Sequence, residues 1–353
     1  MALGDNFRKA SFDVNYLITG QYAKLGGDSS EMHYLPMGLG VKGLIVDTFN
    51  FLFKNEFRTN LLPLSPDLVF FYNPHPLNPM IARLLRKKFP SATFVLYLHD
   101  PYKPEKRPYG TVKAGYITIV EFIQKLTVKY MDIVISPSAY SSSLFKEYYR
   151  GFNGRNQIAP LLVPDQRCRE KKCRKYFSMV GTAHQATGHD IFVGLVNYVA
   201  AEDLAYEFVL VSSSNISVYL EKLTGKAKKI LKVINKEIIT DAEINNVISQ
   251  SLGVFRLDSE VTQSGVIPVA FMNDTPVIVR DIPGLVQHVK HGANGYILPY
   301  DCTPENCVEA MQFVMNNFSN LSKIARESYE EVWAEWNWGK YYGWLKELIQ
   351  KGT

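Results

Sequence analysis

The segment VTQSGVIPVAFMNDTPVIV, residues 261–279, carries the residue types of a phosphate cradle. Ser264 and Gly265 precede an apolar helical stretch, VIPVAFM, with Pro268 in its first turn, where proline is tolerated. The open N–H groups and partial positive charge of a helix N-terminus hold an anion without a basic side chain. The turn itself contains neither acid nor base. Any reaction there depends on positioning, or on groups brought from elsewhere in the chain.

Other candidates are weaker. GLGVKG (38–43) matches the G-x-G-x-x-G spacing, but it follows HYLPM, with Pro36, rather than a clear strand. It also lacks the acid about 20 residues further on that a dinucleotide site needs, which argues against a nicotinamide site. GQYAKLGGDSS (20–30) directly follows a predicted strand, and Gly26 and Gly27 would let the backbone approach an acceptor-side ligand closely. A plain surface loop is the alternative there. The cysteine pairs Cys168/Cys173 and Cys302/Cys307 are far apart and set among polar residues, so they read as thiols rather than a metal site.

These residues need elements to position them, and the chain supplies α/β punctuation throughout. Strand-like runs fall at 14–19, 67–72, 93–98 and 132–136 in the first half. In the second half they fall at 176–181, 206–212, 253–257, 275–279 and 295–299. Helical patterns alternate with them, which predicts mainly parallel sheets. NPMIARLLRKKF ends in bases suited to a helix C-terminus, and TDAEINNVISQS opens with the capping box Thr240/Glu243. The proline-bearing, then highly charged stretch 159–175 separates the two series. The division expected is an N-terminal Rossmann-like domain over 1–165, a linker at 166–175 and a second Rossmann-like domain over 176–332. A C-terminal helix over 333–353, in a tail carrying all four tryptophans, is expected to pack back on the first domain. Ligands of such proteins bind at the carboxyl ends of the strands, in the cleft.

Composition bounds the class. With 353 residues, 46% hydrophobic and 21% charged, the chain is long and apolar enough for a sizeable core. No apolar run approaches the ~18 residues needed to span a bilayer, and the charged N-terminus does not read as a signal peptide. A cytoplasmic protein is expected. The net charge is +5, with basic runs at 83–90 (including Arg83, Arg86, Lys87 and Lys88) and 167–175. These are either solvated element ends or an attraction to an anionic surface at the inner face of the membrane. They lack interleaved aromatics, which argues against nucleic acid.

The stretch TPVIVRDIPGLVQHVKHGANGYILP (275–299) resembles the donor-binding region of glycosyltransferases with the GT-B fold, the retaining family 4 enzymes in particular. The matching elements are the strand Pro276–Ile278, then Gly284, Gly292 and Asn294–Gly295. SPDLVFFYNPHP (65–76), VLYLHDPYK (95–103), MDIVISPSAYSSSLFK (131–146) and FSMVGTAHQATGHDIF (177–192) are similar to successive segments of the same enzymes. The resemblance implies two Rossmann-like domains facing each other across a cleft. It also implies sugar transfer from a nucleoside diphosphate sugar to a glycan or lipid-linked hydroxyl, with retention and without metal or cofactor. A UDP-sugar is the favoured donor, a GDP-sugar the alternative. By position His99 is the histidine beside the transferred sugar, with Asp100 and His75 on the acceptor side. Thr182, His184, Thr187, Thr262, Gln263, Ser264, Gly265 and Val266 would line the donor.

Two departures from that family stand out. Its glutamate pair around the phosphate turn is replaced by Thr262 and Ala270, with Glu260 two residues early. The arginine and lysine of its first donor-domain turn are replaced by Thr182, His184, Thr187 and His189. Arg256 and Arg280, at strand ends, are the candidate replacement cations for the diphosphate. A catalytically degenerate subunit supporting an active partner is the alternative to an active transferase. A nucleotide-sugar epimerase or phosphorylase is a third reading.

Overall fold

In the computed structural model the described residues are 65–72, 75, 77–104, 106, 110–167, 173–334, 336 and 338–350, with two short strands nearer the N-terminus. Gly26, Gly27, the 38–43 stretch and Cys168 lie outside them.

The early strands β1 (Tyr16–Thr19) and β2 (Met32–Leu35) pair in parallel. The first half continues with β3 (Leu68–Phe71), α1 (Asn78–Lys88), β4 (Thr93–Tyr97), α2 (Thr111–Val128), β5 (Ile133–Ser136), α3 (Ala139–Tyr148) and β6 (Arg155–Ile158). Strands β3 to β6 form one parallel sheet in chain order. The second half runs β7 (Tyr176–Val180), α4 (His189–Ala201), β8 (Phe208–Ser212), the single turns α5 (Ser217–Leu220) and α6 (Ala227–Ile230), and β9 (Leu231–Asn235). It continues with α7 (Asp241–Ser249), β10 (Ser251–Arg256), α8 (Val266–Met272), β11 (Val277–Arg280), α9 (Pro283–Val286) and β12 (Gly295–Leu298). Helices α10 (Pro304–Asn316), α11 (Phe318–Tyr329) and α12 (Trp338–Gln350) complete the chain.

The second sheet has the order β12-β11-β10-β7-β8-β9, all parallel. Counted from β7, that is the doubly wound order of a Rossmann sheet read from its far edge. Its direction of winding reverses between β7 and β10, where such sheets bind their ligands beyond the strand carboxyl ends. The central strands are buried on both faces, as helix-covered parallel strands must be: β5, β8 and β11 have no exposed side chain.

The four- and six-stranded sheets each have apolar clusters on both faces. Phe192, Val196 and Leu210 pack on one side of the second sheet with Met311 of α10. Val254, Phe271 and Val279 pack on the other with Tyr329 and Trp333. Around the first sheet, Ile81, Phe94 and Phe145 fill one face. The other is closed by Tyr341, Tyr342 and Leu345 of α12 against Val95, Tyr97, Ile133 and Ile135.

Three strands, β2, β6 and β9, are not evident as apolar runs. The polar β6 and the lysine-bearing β9 are edge strands of their sheets. An edge strand covered on fewer sides needs fewer apolar residues. Asn156 of β6 accepts from the Ser142 hydroxyl and donates to the Val134 carbonyl and Ser136 hydroxyl, so side-chain bonding supports this strand. The capping box at α7 is present in both directions between Thr240 and Glu243.

Candidate active site

The switch point fixes where to look. The turn after β7 runs from Gly181 to Gly188, and the turn after β10 from Leu257 to Gly265. Residue types in the first turn organise its own backbone. His184 Nδ1 accepts from the Ala186 N–H, and the His184 N–H donates to Thr187 Oγ1. The Thr187 hydroxyl donates to the His184 carbonyl at 2.6 Å and meets His189 Nδ1 at 2.8 Å. Gly188 then takes φ +70, and a Cβ there would lie 2.2 Å from the Leu257 carbonyl, so this crossing of the two turns requires glycine. Thr182 is exposed at the mouth of the turn, while Thr187 and His189 are buried within it.

Beneath the turn lies an ion pair. Arg256 donates to the Val180 carbonyl and to Asp258 Oδ1, both at 2.9 Å, bridging the ends of β7 and β10. A Cβ on Gly181 would come 2.8 Å from Arg256 Nη1. Burial lowers the pKa of His184 and His189 to about 4 each, and the Arg256 charge pushes the same way. Both rings are neutral near pH 7. Arg280 is used differently: Nε and Nη2 donate to the Tyr300 carbonyl, and Nη1 donates to the Leu257 carbonyl. Its guanidinium therefore braces the strand ends.

The second turn meets the first sheet. His99 and Asp100 follow β4, and their neighbours lie across the cleft. Thr262 donates to the Asp100 carboxylate, and its Oγ1 lies 3.4 Å from the His99 carbonyl oxygen. Gln263 Nε2 lies 3.3 Å from His99 Nδ1. An amide nitrogen only donates, so His99 Nδ1 accepts and the ring proton sits on Nε2. The ring packs against Tyr72 and Tyr97, with centroids 5.2 and 4.8 Å away. Burial lowers the His99 pKa, against the opposing pull of Asp100.

The candidate residues do not all converge there. His99, Asp100, Thr262 and Gln263 come together. His75 Nδ1 instead accepts the Leu77 N–H at the entry to α1, beside Leu96, Leu98 and Gln124. Ser264 accepts from the Val266 N–H, and Gly265 stands exposed at the head of α8. A Cβ on Gly265 would meet only Leu161, at an ordinary 3.9 Å. Gly284 holds the turn from behind: a Cβ there would fall 1.8 Å from the Val261 carbonyl. Gln287 completes that support by donating to the carbonyls of Thr262 and Gly284.

One residue was missed from sequence. Lys103, in the loop after His99, places Nζ 3.4 Å from both Asp100 and Glu260, the latter belonging to the opposite turn. Burial pulls its ammonium down, but the two carboxylates outweigh that and raise its pKa. The signal was the basic residue closing HDPYK, four positions after the histidine.

No protein-family model and no curated protein matches this sequence. Solved structures do. Sucrose-phosphate synthase from Thermosynechococcus elongatus superposes over 100% of this chain and 92% of its own, with a TM-score of 0.78 at 14% identity. The chain has the GT-B fold. Anabaena HepE in complex with UDP-glucose covers 95% of this chain and 91% of its own, with a TM-score of 0.65 at 14% identity. The pneumococcal O-GlcNAc transferase GtfA, in complex with UDP and GlcNAc, matches 84% of this chain at a TM-score of 0.62 and 12% identity. The chain spans only 59% of that protein's length. At these identities the likeness carries the architecture alone. Among the described residues no helix is long and apolar enough to cross a membrane.

Proposed function

We propose that this protein is a glycosyltransferase. It moves a sugar from a nucleoside diphosphate donor, a UDP-sugar by preference, to a glycan or lipid-linked hydroxyl, with retention and without a metal. The observation that carries the reading is the meeting of His99 with Gln263, and of Asp100 with Thr262, across the cleft of a GT-B fold and beside its switch point. That complexes of similarly folded proteins hold UDP or UDP-glucose supports the choice of donor.

The diphosphate lies over the turn after β10, held by the backbone N–H groups of Ser264 and Gly265, with Val266, whose N–H bonds the Ser264 hydroxyl, behind them and Thr182 at the rim. Neutral His99 donates from Nε2 to a hydroxyl of the transferred sugar. The acceptor oxygen bonds to the anomeric carbon on the face from which the sugar–phosphate bond breaks. The departing phosphate oxygen takes the acceptor's proton, so no side-chain base is needed. Lys103 supplies the cation that the first donor-side turn lacks, reaching the leaving phosphate from the opposite domain. Arg256, paired with Asp258, braces the strand ends beneath the turn.

A thermal-shift series with UDP, GDP, ADP, CDP and TDP, with and without magnesium, tests this reading. A ligand at 100 times its dissociation constant raises stability by about 2.7 kcal/mol. One nucleotide standing out without magnesium is the expected result. No shift with any of them would favour a degenerate subunit, a reading motivated by the carbonyl-bound fork of Arg280 and the histidine-rich first turn.

A further inference from the structure

Helix α2 is built inside out. An amphipathic helix on a folded protein turns its apolar stripe to the core. Here Glu121, Gln124 and Thr127 are buried, while Val112, Tyr116, Ile119 and Phe122 are 88%, 66%, 60% and 61% exposed. Their spacing of four, three and three residues makes one continuous outward stripe. The orientation is locked. Glu121 accepts the Lys103 N–H and pairs with Lys106 Nζ, each at 2.9 Å, so rotating the stripe inward would break both bonds.

The surroundings identify the partner. Helix α1 packs beside α2, and between them the two helices carry a single acid, the inward Glu121. Exposed on the two helices are Arg83, Lys87, Lys88, Lys113 and Lys125, with Lys129 at the C-terminal cap of α2. Arg86 is not among them: its guanidinium bonds Asp132 and the Ala92 and Tyr130 carbonyls. An exposed apolar stripe on a helix pair whose exposed charges are all basic has the form of an interfacial helix, which sinks its apolar side chains among lipid headgroups while its bases meet anionic lipid. A second copy docking through this patch would set the same cations against each other.

We propose that α2 lies in the headgroup layer of an anionic bilayer. The helix starts at the cleft, because a Cβ on its N-cap, Gly110, would come 3.0 Å from Gln185 Oε1 of the donor-side turn. A hydroxyl carried on a membrane-embedded lipid is therefore delivered to the catalytic side of the protein. That last step rests on the proposed sugar transfer, whereas the docking stands on α2 and α1 alone.

The test is co-sedimentation of the full chain with phosphatidylglycerol-containing vesicles and with phosphatidylcholine vesicles. Binding to the anionic vesicles only, weakened by salt, is expected. Ile119→Ser/Phe122→Ser should bind about tenfold more weakly or worse, at an unchanged Tm, as the changed side chains are exposed. Lys87→Glu/Lys88→Glu, also on the surface, should weaken binding too. Wild-type protein that ignores the vesicles, or a serine variant that binds as tightly, overturns the proposal. So does a wild-type dimer in sedimentation velocity that the serine variant dissolves, since the stripe is then a self-interface. Transfer to a water-soluble acceptor without vesicle binding would overturn the docking and leave the transferase. Vesicle binding without nucleotide binding would do the reverse.

Discussion

Lys103 stands between Asp100 of its own loop and Glu260 of the opposite domain, 3.4 Å from a carboxylate oxygen of each. One half-buried ammonium thus ties the two walls of the cleft together, and the proposed transfer gives it the departing diphosphate to meet. Two carboxylates hold it charged.

Removing that charge is the most direct test. Lys103→Ala should weaken UDP binding roughly 10- to 100-fold, the scale of one hydrogen bond to a charged group. It should also lower Tm by removing the cation 3.4 Å from the buried Glu260 carboxylate. Lys103→Arg should restore part of the affinity. Calorimetry on the three proteins decides, and an alanine variant with wild-type affinity would remove Lys103 from the phosphate site.

His99→Ala should abolish sugar transfer while the protein still folds, with Tm lowered only modestly, since the ring is half-buried between the core residue Tyr97 and the exposed Tyr72. Burial lowers its pKa from the ordinary 6.5, so the neutral ring persists into mild acid and kcat/KM should fall only below that value. Full turnover by the alanine variant would dismiss the assigned role.

Thr262 occupies the position where the resemblance implies a glutamate, and its hydroxyl meets the Asp100 carboxylate from across the cleft. Restoring the glutamate should therefore harm the protein. Thr262→Glu would place two carboxylates together, and Tm and transfer should both fall. Thr262→Glu/Asp100→Asn should recover stability. A more active single variant would show that Asp100 does not occupy the glutamate's place.

Two glycines separate scaffold from ligand contact. Gly284→Ala collides with the Val261 carbonyl and should cost about 2 kcal/mol or more of stability, with nucleotide affinity lost alongside. Gly265→Ala has room and should be thermally neutral, whereas Gly265→Leu should weaken UDP binding at unchanged Tm. Unchanged affinity in Gly265→Leu would put the diphosphate elsewhere.

Acid stability reads the histidines. His189, 1% exposed, keeps a folded pKa of about 4 against an ordinary 6.5. Between those values the unfolded chain takes up a proton that the native state refuses, so stability falls as pH drops from 6.5 and levels off near 4. The loss from His189 is on the order of 3 kcal/mol. His184 and His288 titrate in the same window. Urea unfolding at about pH 7 and about pH 4.5 should show a smaller difference for His189→Gln than for wild type; equal differences would refute the assignment.

The α/β class, nine strands and the α7 capping box were legible because each rests on local pattern: apolar runs between turn residues, or a threonine three residues before a glutamate. The meeting of His99 with Gln263 was not. It spans 164 positions and depends on how two sheets face each other. Lys103 was overlooked for the same reason, since its worth comes from Glu260 across the cleft. Helix α2 lacked the inward apolar stripe by which helices are recognised, and Gly110 offers no side chain to cap it. Arg280 looked available because a strand-end arginine has the same sequence context whether its fork meets a ligand or a carbonyl.

The chain leaves the first sheet for the second after β6 and returns to it in α12, whose tyrosines close the first sheet. That return makes the first sheet dependent on the last helix: a fragment ending after β6 would leave Val95 and Ile135 uncovered, so the first half of the chain cannot bury its own core without the end of the second.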